Sequence, residues 1–363
     1  MNDPVPLTEE LIRINSTTKE GANEAVDYCA KWLEERGLHV KILVNNGYRM
    51  AVSEIGSGDR TIIFNGHVDV VEAEDDQFSP YIEDGKLYGR GAVDMKGGLA
   101  AMMTAAVLLK DVDLGCKLQI QIVPDEETGG MNGTKYLTEQ GYLGDFIICG
   151  EPTNYGIAIQ SLGVIQMDID IRGKSAHGSR PWEGVNAIEK AYNLYQQILE
   201  LPFTKETAPP MYDSTSVNLA KLHSGSSYNK VPESCTISFD IRYIPTQSPD
   251  EIIRQIDEIT DGEVIIQRVS DPVTTKEDNP YVQALAKSLV NQTDLEKANI
   301  YGQRGSNDGK YFTKYGGASV EFGPLGKNWH SEKELVFIDS VRTYENILVD
   351  FVLSWSKQAR NKE

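Results

Sequence analysis

A change of rhythm in the middle of the chain limits the possible folds more than any other feature. On both flanks, apolar strand-like runs alternate with helical patterns. Between them, at roughly 164–272, the order becomes strand, helix, strand, strand, helix, strand. Ile165, Met167, Ile169 and Ile171 alternate with polar residues, as do Cys235, Ile237, Phe239, Ile241 and Tyr243, so each strand buries one face. A helix is expected over 183–201, with Val185, Ile188, Tyr192, Tyr195 and Leu199 inward, and a strand over 215–222. Ser248 and Pro249 offer an N-cap and a first-turn proline to a second helix, which turns Ile252, Ile253, Ile256 and Ile259 inward. A strand at 263–269 closes the segment. This order is the ferredoxin-like split βαβ arrangement.

The flanks read differently. Helical periodicity runs over 22–36 through Val26, Cys29 and Leu33 and stops at Gly37. Strands are expected at 61–64, 118–123, 145–149 and 318–322, and helices at 96–110, 281–290 and from Asp339 onward. Such alternation implies an α/β domain: a mixed, largely parallel sheet flanked by helices. We therefore expect a discontinuous catalytic domain, 1–163 plus 273–363, carrying an inserted α+β (βαββαβ) lid or dimerisation domain at 164–272. A length of 363 residues accommodates both.

Composition excludes some partners. A formal charge of −19 argues against nucleic acid, whose phosphates demand clustered Lys and Arg, and against anionic membrane surfaces. No apolar run approaches the roughly 20 residues that span a bilayer. The polar segment 1–18 lacks a basic n-region and an apolar h-region, so no signal peptide is expected. Cys29, Cys116, Cys149 and Cys235 are scattered in apolar stretches, which fits buried free thiols and a cytoplasmic location.

Chemistry concentrates just past the strand runs. Pro124-Asp125-Glu126-Glu127-Thr128-Gly129-Gly130 follows the strand at 118–123; His67 and Asp69 follow 61–64, Glu151 follows 145–149, and His330 lies in the loop after 318–322. Ligands of open α/β sheets gather at the carboxyl edge of the strands, so these groups can converge. Asp94, in the glycine-rich loop 89–98, can join them. That loop lacks both GxGxxG and a Walker Lys-Ser/Thr, which argues against nucleotide binding. Two histidines with several carboxylates suit Zn²⁺, and also Co²⁺ or Mn²⁺. Asp69, two residues beyond His67, is placed to accept the ring's second N–H. Taken alone, Glu126-Glu127 reads more simply as a solvated loop.

In combination, Gly66-His67-Val68-Asp69-Val70-Val71, Gly89-Arg90-Gly91-Ala92-Val93-Asp94-Met95-Lys96-Gly97-Gly98, Asp125-Glu126-Glu127 and Gly150-Glu151-Pro152-Thr153 resemble one family over essentially the whole chain. It is the acetylornithine deacetylase/succinyl-diaminopimelate desuccinylase family of di-zinc hydrolases, related to aminoacylases and carboxypeptidase G. The resemblance implies two Zn²⁺, with Co²⁺ or Mn²⁺ as substitutes. His67 and Glu151 would hold one ion, Glu127 and His330 the other, with Asp94 bridging and Glu126 as general base. It also implies a cis peptide after Asp94. A homodimer through the inserted domain is implied, with His177 and Asn229 reaching the neighbouring subunit's site. Arg242 and Arg180 would bind substrate, together with Gly305 and Ser306 of a loop whose match is looser.

Simpler readings stand beside these. His177 can be a surface histidine on a turn, and Arg242 can merely pair with Asp240 or Glu233. His39 and His223 carry no assignment. The implied activity is hydrolysis of the amide of an N-acyl amino acid such as N-acetylornithine or N-succinyl-diaminopimelate. The alternatives are a dipeptidase or carboxypeptidase of the same fold, or a catalytically silent metal-binding protein. Dipeptidases resembling this family often carry enlarged inserted domains, which this chain lacks.

Overall fold

The computed structural model describes residues 3–360, which divide into two compact units. The first runs to Ile159 and resumes over Thr274–Tyr301 and from Asn307; the second comprises Gln160–Val273 and Gly302–Ser306.

The first unit is built on a mixed sheet of β1 (Val40–Asn45), β2 (Tyr48–Gly56), β3 (Thr61–His67), β4 (Lys117–Val123), β5 (Phe146–Cys149), β6 (Ile157–Ser161) and β11 (Ala318–Glu321). Its order is β1-β2-β4-β3-β5-β11-β6, with short strands beyond β6. The central strands β4, β3, β5 and β11 are parallel, while β1, β2 and β6 run against their neighbours. The four central strands are buried almost throughout, polar Gln119, Gln121, Ser319 and Glu321 included, as strands in the middle of a helix-covered sheet are. From β3 the chain passes to β4 on one side, then to β5 on the other. This is the strand-order switch at which open sheets form ligand crevices.

Helices α1 (Pro4–Arg13), α2 (Lys19–Glu34), α3 (Gly97–Leu109), α6 (Pro280–Gln292) and α7 (Ile338–Arg360) belong to this unit. Asp3, Thr18 and Asn279 cap α1, α2 and α6 by accepting first-turn N–H groups. α3 is apolar on all sides and buried along nearly its whole length, as a helix enclosed by sheet and helices must be. The stretch 92–109 is long and apolar enough to cross a membrane, yet 94% of it is buried inside the protein. Gly98 lets the start of α3 pass against the end of β5, since a Cβ there would stand 2.4 Å from the Gly150 carbonyl oxygen. All four cysteines are buried and free, as expected.

The second unit has one antiparallel sheet of β7 (Gly163–Arg172), β8 (Ser216–Ser224), β9 (Ser234–Tyr243) and β10 (Glu263–Ser270), in the order β8-β9-β7-β10. With α4 (Ala187–Ile198) and α5 (Pro249–Asp257) it completes the β-α-β-β-α-β order read from the sequence. The α4 reading needs correction. The helix starts at Ala187, because Asn186 caps it by accepting the Ile188 N–H at 2.9 Å while Val185 bridges to Lys174. Its buried residues are Ala187, Ala191, Leu194 and Ile198, whereas Val185 and Tyr192 are exposed. Of the expected stripe, Ile188 and Tyr195 pack at the margin of the core, while the fully buried positions include two alanines, which let the helix approach the sheet closely. In α5, Ile252 and Ile256 are buried as expected, and Ile253 packs at the margin.

Candidate metal centre

Parallel register brings the carboxyl ends of the central strands level. His67 pairs with Val123, Asn65 with Cys149, and Glu321 with Cys149. The loops leaving these ends carry the candidate ligands.

β3 ends on His67, which is 1% exposed. Its Nδ1 lies 2.9 Å from the Asp69 main-chain carbonyl oxygen, which can only accept, so Nδ1 carries the proton and Nε2 faces the cluster. The Asp69 carboxylate lies 3.5 Å from Nδ1 and has a second task. Its oxygens accept the N–H groups of Glu126 at 3.1 Å and Glu127 at 3.0 Å. Asp69 therefore partners the ring as the sequence suggested, chiefly through its main-chain carbonyl, while its carboxylate also holds the Glu126-Glu127 turn. Asp125 closes that turn by accepting the N–H groups of Asn132 at 2.7 Å and Gly133 at 2.8 Å.

Asp94 is the hinge of the geometry. Its Oδ1 is 3.4 Å from His67 Nε2 and its Oδ2 is 3.2 Å from His330 Nε2. Glu151 Oε1 is 3.7 Å from His67 Nε2, and Glu127 Oε1 is 3.1 Å from His330 Nε2. Donor atoms of His67, Asp94 and Glu127 lie within 4.8 Å of one another, as do those of His67, Glu126 and Glu151. The Asp94–Met95 peptide is cis.

The electrostatics are those of a crowded anionic site. Burial alone would push the His67 imidazole down, but Glu151, Asp69 and Asp94 outweigh it and hold the ring well above its usual value. Hydrogen bonding to Asp94 and Glu127 pushes His330 up to about 10. Burial works to raise Asp94, yet His330 and His67 hold it below the usual carboxylate range. Burial, reinforced by Glu151 and Asp308, lifts Glu126 well above that range. Glu151 is pushed up to about 7 by burial, against the opposing His67 charge.

These residues fit divalent cations. His67 Nε2 is buried without a hydrogen-bond partner while two carboxylates face it, and a shared cation would engage all three groups. With neutral imidazoles, Asp94, Glu126, Glu127 and Glu151 carry a negative charge that two divalent ions balance. The cluster opens on two clefts of the first unit, of about 880 and 570 Å³, each lined in part by Thr17, Glu72 and His330.

A helix-flanked mixed sheet with a histidine–carboxylate cluster at its strand switch is the architecture of a metallohydrolase. Residues 63–354 match peptidase family M20/M25/M40, and the chain belongs to this family of metal-dependent amide-bond hydrolases. It is 30% identical to a succinyl-diaminopimelate desuccinylase of Beijerinckia indica over 81% of this chain and 82% of that protein. The same identity relates it to a desuccinylase of Magnetococcus marinus, over 93% of this chain and 94% of that one. In fold it is similar to an M20 family metallo-carboxypeptidase of Sulfolobus solfataricus, with a TM-score of 0.85, 18% identity and coverage of 97% and 99% of the two chains.

The other site candidates lie in the second unit. His177 and Asn229 are side by side on its surface: His177 bridges to Lys230, and the Gly178 N–H donates to the Asn229 carbonyl at 2.7 Å. His177 Nδ1 is 2.8 Å from Ser179 Oγ. Arg180 is exposed, with Glu183 at 3.7 Å. Arg242 forks onto Asp240, at 2.7 and 3.2 Å, the pairing weighed as its simpler reading. Gly305 is exposed, whereas the Ser306 hydroxyl oxygen is buried without a partner. Beyond them the loop turns into the first unit's interior, where Asn307 bonds to Glu321 and Asp308 accepts the Thr134 hydroxyl.

Sequence reasoning missed Glu334 and Lys310, while Asp308 closes the loosely matched loop that begins at Gly305. All three are charged and almost fully buried, and Lys310 Nζ is 3.9 Å from Asp308 Oδ1. A lone charge carries no burial signal of its own, so neither Glu334 nor Lys310 stands out in the sequence. The one local hint was Glu334, four residues beyond His330.

Proposed function

We propose that the chain is a two-metal deacylase that hydrolyses the amide of an N-acyl amino acid such as N-succinyl-diaminopimelate or N-acetylornithine. The observation that carries this reading is Asp94, whose two oxygens face two different histidines. His67 and Glu151 would hold one ion and Glu127 and His330 the other, with Asp94 between. Zinc is the proposed metal, with cobalt or manganese as substitutes. When bound, such ions acidify water and polarise a carbonyl oxygen. Glu126 is the proposed general base: it takes the proton of the attacking water and returns it to the leaving amine. Asp69 holds Glu126 and Glu127 in place through their main-chain N–H groups.

His177, with Asn229 beside it, is the proposed donor to the developing oxyanion, supplied by the second copy of a homodimer. Their exposure supports a role completed by another surface. Arg242 would bind the substrate carboxylate by exchanging it for Asp240. The buried free thiols support a reducing, cytoplasmic setting.

The test is a panel of N-succinyl and N-acetyl amino acids against dipeptides, using protein loaded with Zn²⁺ or Co²⁺. Release of the acyl group, with dipeptide turnover far slower, is expected. Rapid dipeptide cleavage without deacylation would move the protein to the peptidase side of its family.

A further inference from the structure

We propose that Glu334 is the positioning residue of the metal centre, tying the loop of Asp94 to the loop of His330 independently of any cation. The inference rests on the assignment of those two residues as ligands.

Glu334 is 1% exposed and ends the loop 328–334, which carries His330. Its Oε2 accepts Arg90 Nη1 at 2.8 Å and the Gly91 N–H at 3.1 Å, and its Oε1 accepts the N–H groups of Val93 at 3.0 Å and Asp94 at 3.1 Å. Its main-chain carbonyl accepts the Gly89 N–H at 3.2 Å. A carboxylate offers about four acceptor sites, and here all are taken, so Glu334 is not itself a metal ligand. An Arg90–Glu334 ion pair accounts for only one of the four side-chain bonds; the other three fix the main chain that aims Asp94. Gly91, at φ 81°, supplies the left-handed turn that lets successive N–H groups converge on one anion. A Cβ at Gly91 would stand 2.8 Å from Lys96 Cδ and 2.9 Å from Val70 Cγ1, so the turn has no room for a larger residue.

The two tied loops differ in setting. Asp94 is buried, whereas His330 is exposed and sits in a stretch where Asn328 and His330 both adopt φ 62°. Glu334 is the buried end of that exposed stretch. Without it, the His330 loop loses its side-chain tie to the bridging aspartate, and two ligands that meet the same oxygen pair lose their common register.

In Glu334→Gln one oxygen becomes an amide donor. It then faces either Arg90 and Gly91 or Val93 and Asp94, which are donors too. Metal-stripped wild type and E334Q are titrated with Co²⁺ by equilibrium dialysis and visible absorption, with circular dichroism to establish the folded fraction. Affinity per folded molecule should fall about 10–100-fold in E334Q. The Arg90→Met variant keeps the three main-chain bonds and should stay within about threefold of wild type. Folded E334Q with wild-type affinity and an unaltered cobalt spectrum overturns the proposal, as does R90M losing affinity as steeply as E334Q. Wild type that takes up no Co²⁺ would instead overturn the metal-centre reading beneath it. If E334Q does not fold, amide hydrogen exchange in metal-stripped wild type decides. Slow exchange at Gly91, Val93 and Asp94 without metal is expected; protection that appears only with metal refutes a clamp independent of the cation.

Discussion

The two units hold their chemically promising residues in opposite ways. In the first, the Glu126-Glu127 turn and the Asp94 loop are tied down by buried or part-buried hydrogen bonds: Asp69 grips the turn, Asp125 closes it, and Glu334 grips the Asp94 loop. In the second, His177, Arg180 and Asn229 stand on the surface, held by short local contacts. The difference teaches that the proposed ligands and base, His330 apart, are held in the interior or at the half-buried edge of one unit. The second unit's His177, Arg180 and Asn229 are presented outward. Removing a group that ties a loop of the first unit, such as Asp69 or Glu334, should therefore disturb geometry as well as chemistry. Removing one from the exposed set should leave folding and metal content alone.

The sharpest way to break this comparison is Glu126→Gln. Deacylation should fall about 10³-fold while bound metal, measured by elemental analysis, is unchanged, because a positioned general base contributes on that order. Retained turnover would remove Glu126 from its role. His177→Ala should lower kcat about 10²-fold with no shift in Tm, since an oxyanion donor acts only in the transition state and this one is exposed. Mixing E126Q and H177A subunits then tests the homodimer directly. Statistical pairing places one intact site in about half the dimers, so activity should recover to about a quarter of wild type. No recovery after verified subunit exchange would argue that His177 acts within its own chain.

Asp69→Asn should be milder, about 10–100-fold in kcat/KM, with a measurable loss of metal affinity. An amide can accept only at its oxygen, so one of the two N–H bonds to Glu126 and Glu127 is lost. The smallest effect contrasts two neighbours on α4. Ala191→Leu should destabilise the protein by about 1–3 kcal/mol through overpacking, whereas exposed Tyr192→Ala should stay within about 0.5 kcal/mol. Equal shifts in thermal melts would restore the inward face drawn from bulk alone.

Several particulars show why some features were legible beforehand. β7 and β9 alternate strictly, and period-2 patterning survives because one face is buried and the other is not. The stretches around His67, Asp94, Glu126-Glu127 and Glu151 were visible because chemistry-bearing residues follow apolar strands at regular places. His330 was legible only through order and context. The α4 face was legible only in part, at Ile188 and Tyr195, because alanine carries little hydrophobic weight yet packs closest. Asp69 was placed at the right ring by its proximity in sequence, but spacing cannot choose between its carbonyl and its carboxylate.

By itself, the sequence determined the class of both units, the residues that can bind a metal and carry a proton, and the free state of the thiols. These depend on periodicity and residue chemistry, which are local. Only the tertiary structure decided that Asp94 stands between two histidines, that Asp69 holds the glutamate turn, and that Glu334 fills four bonds with the loop of Asp94. Each of these joins segments distant in the chain, and their meeting is set by strand order and register rather than by spacing. The pairing of buried donors with acceptors is a property of the folded interior.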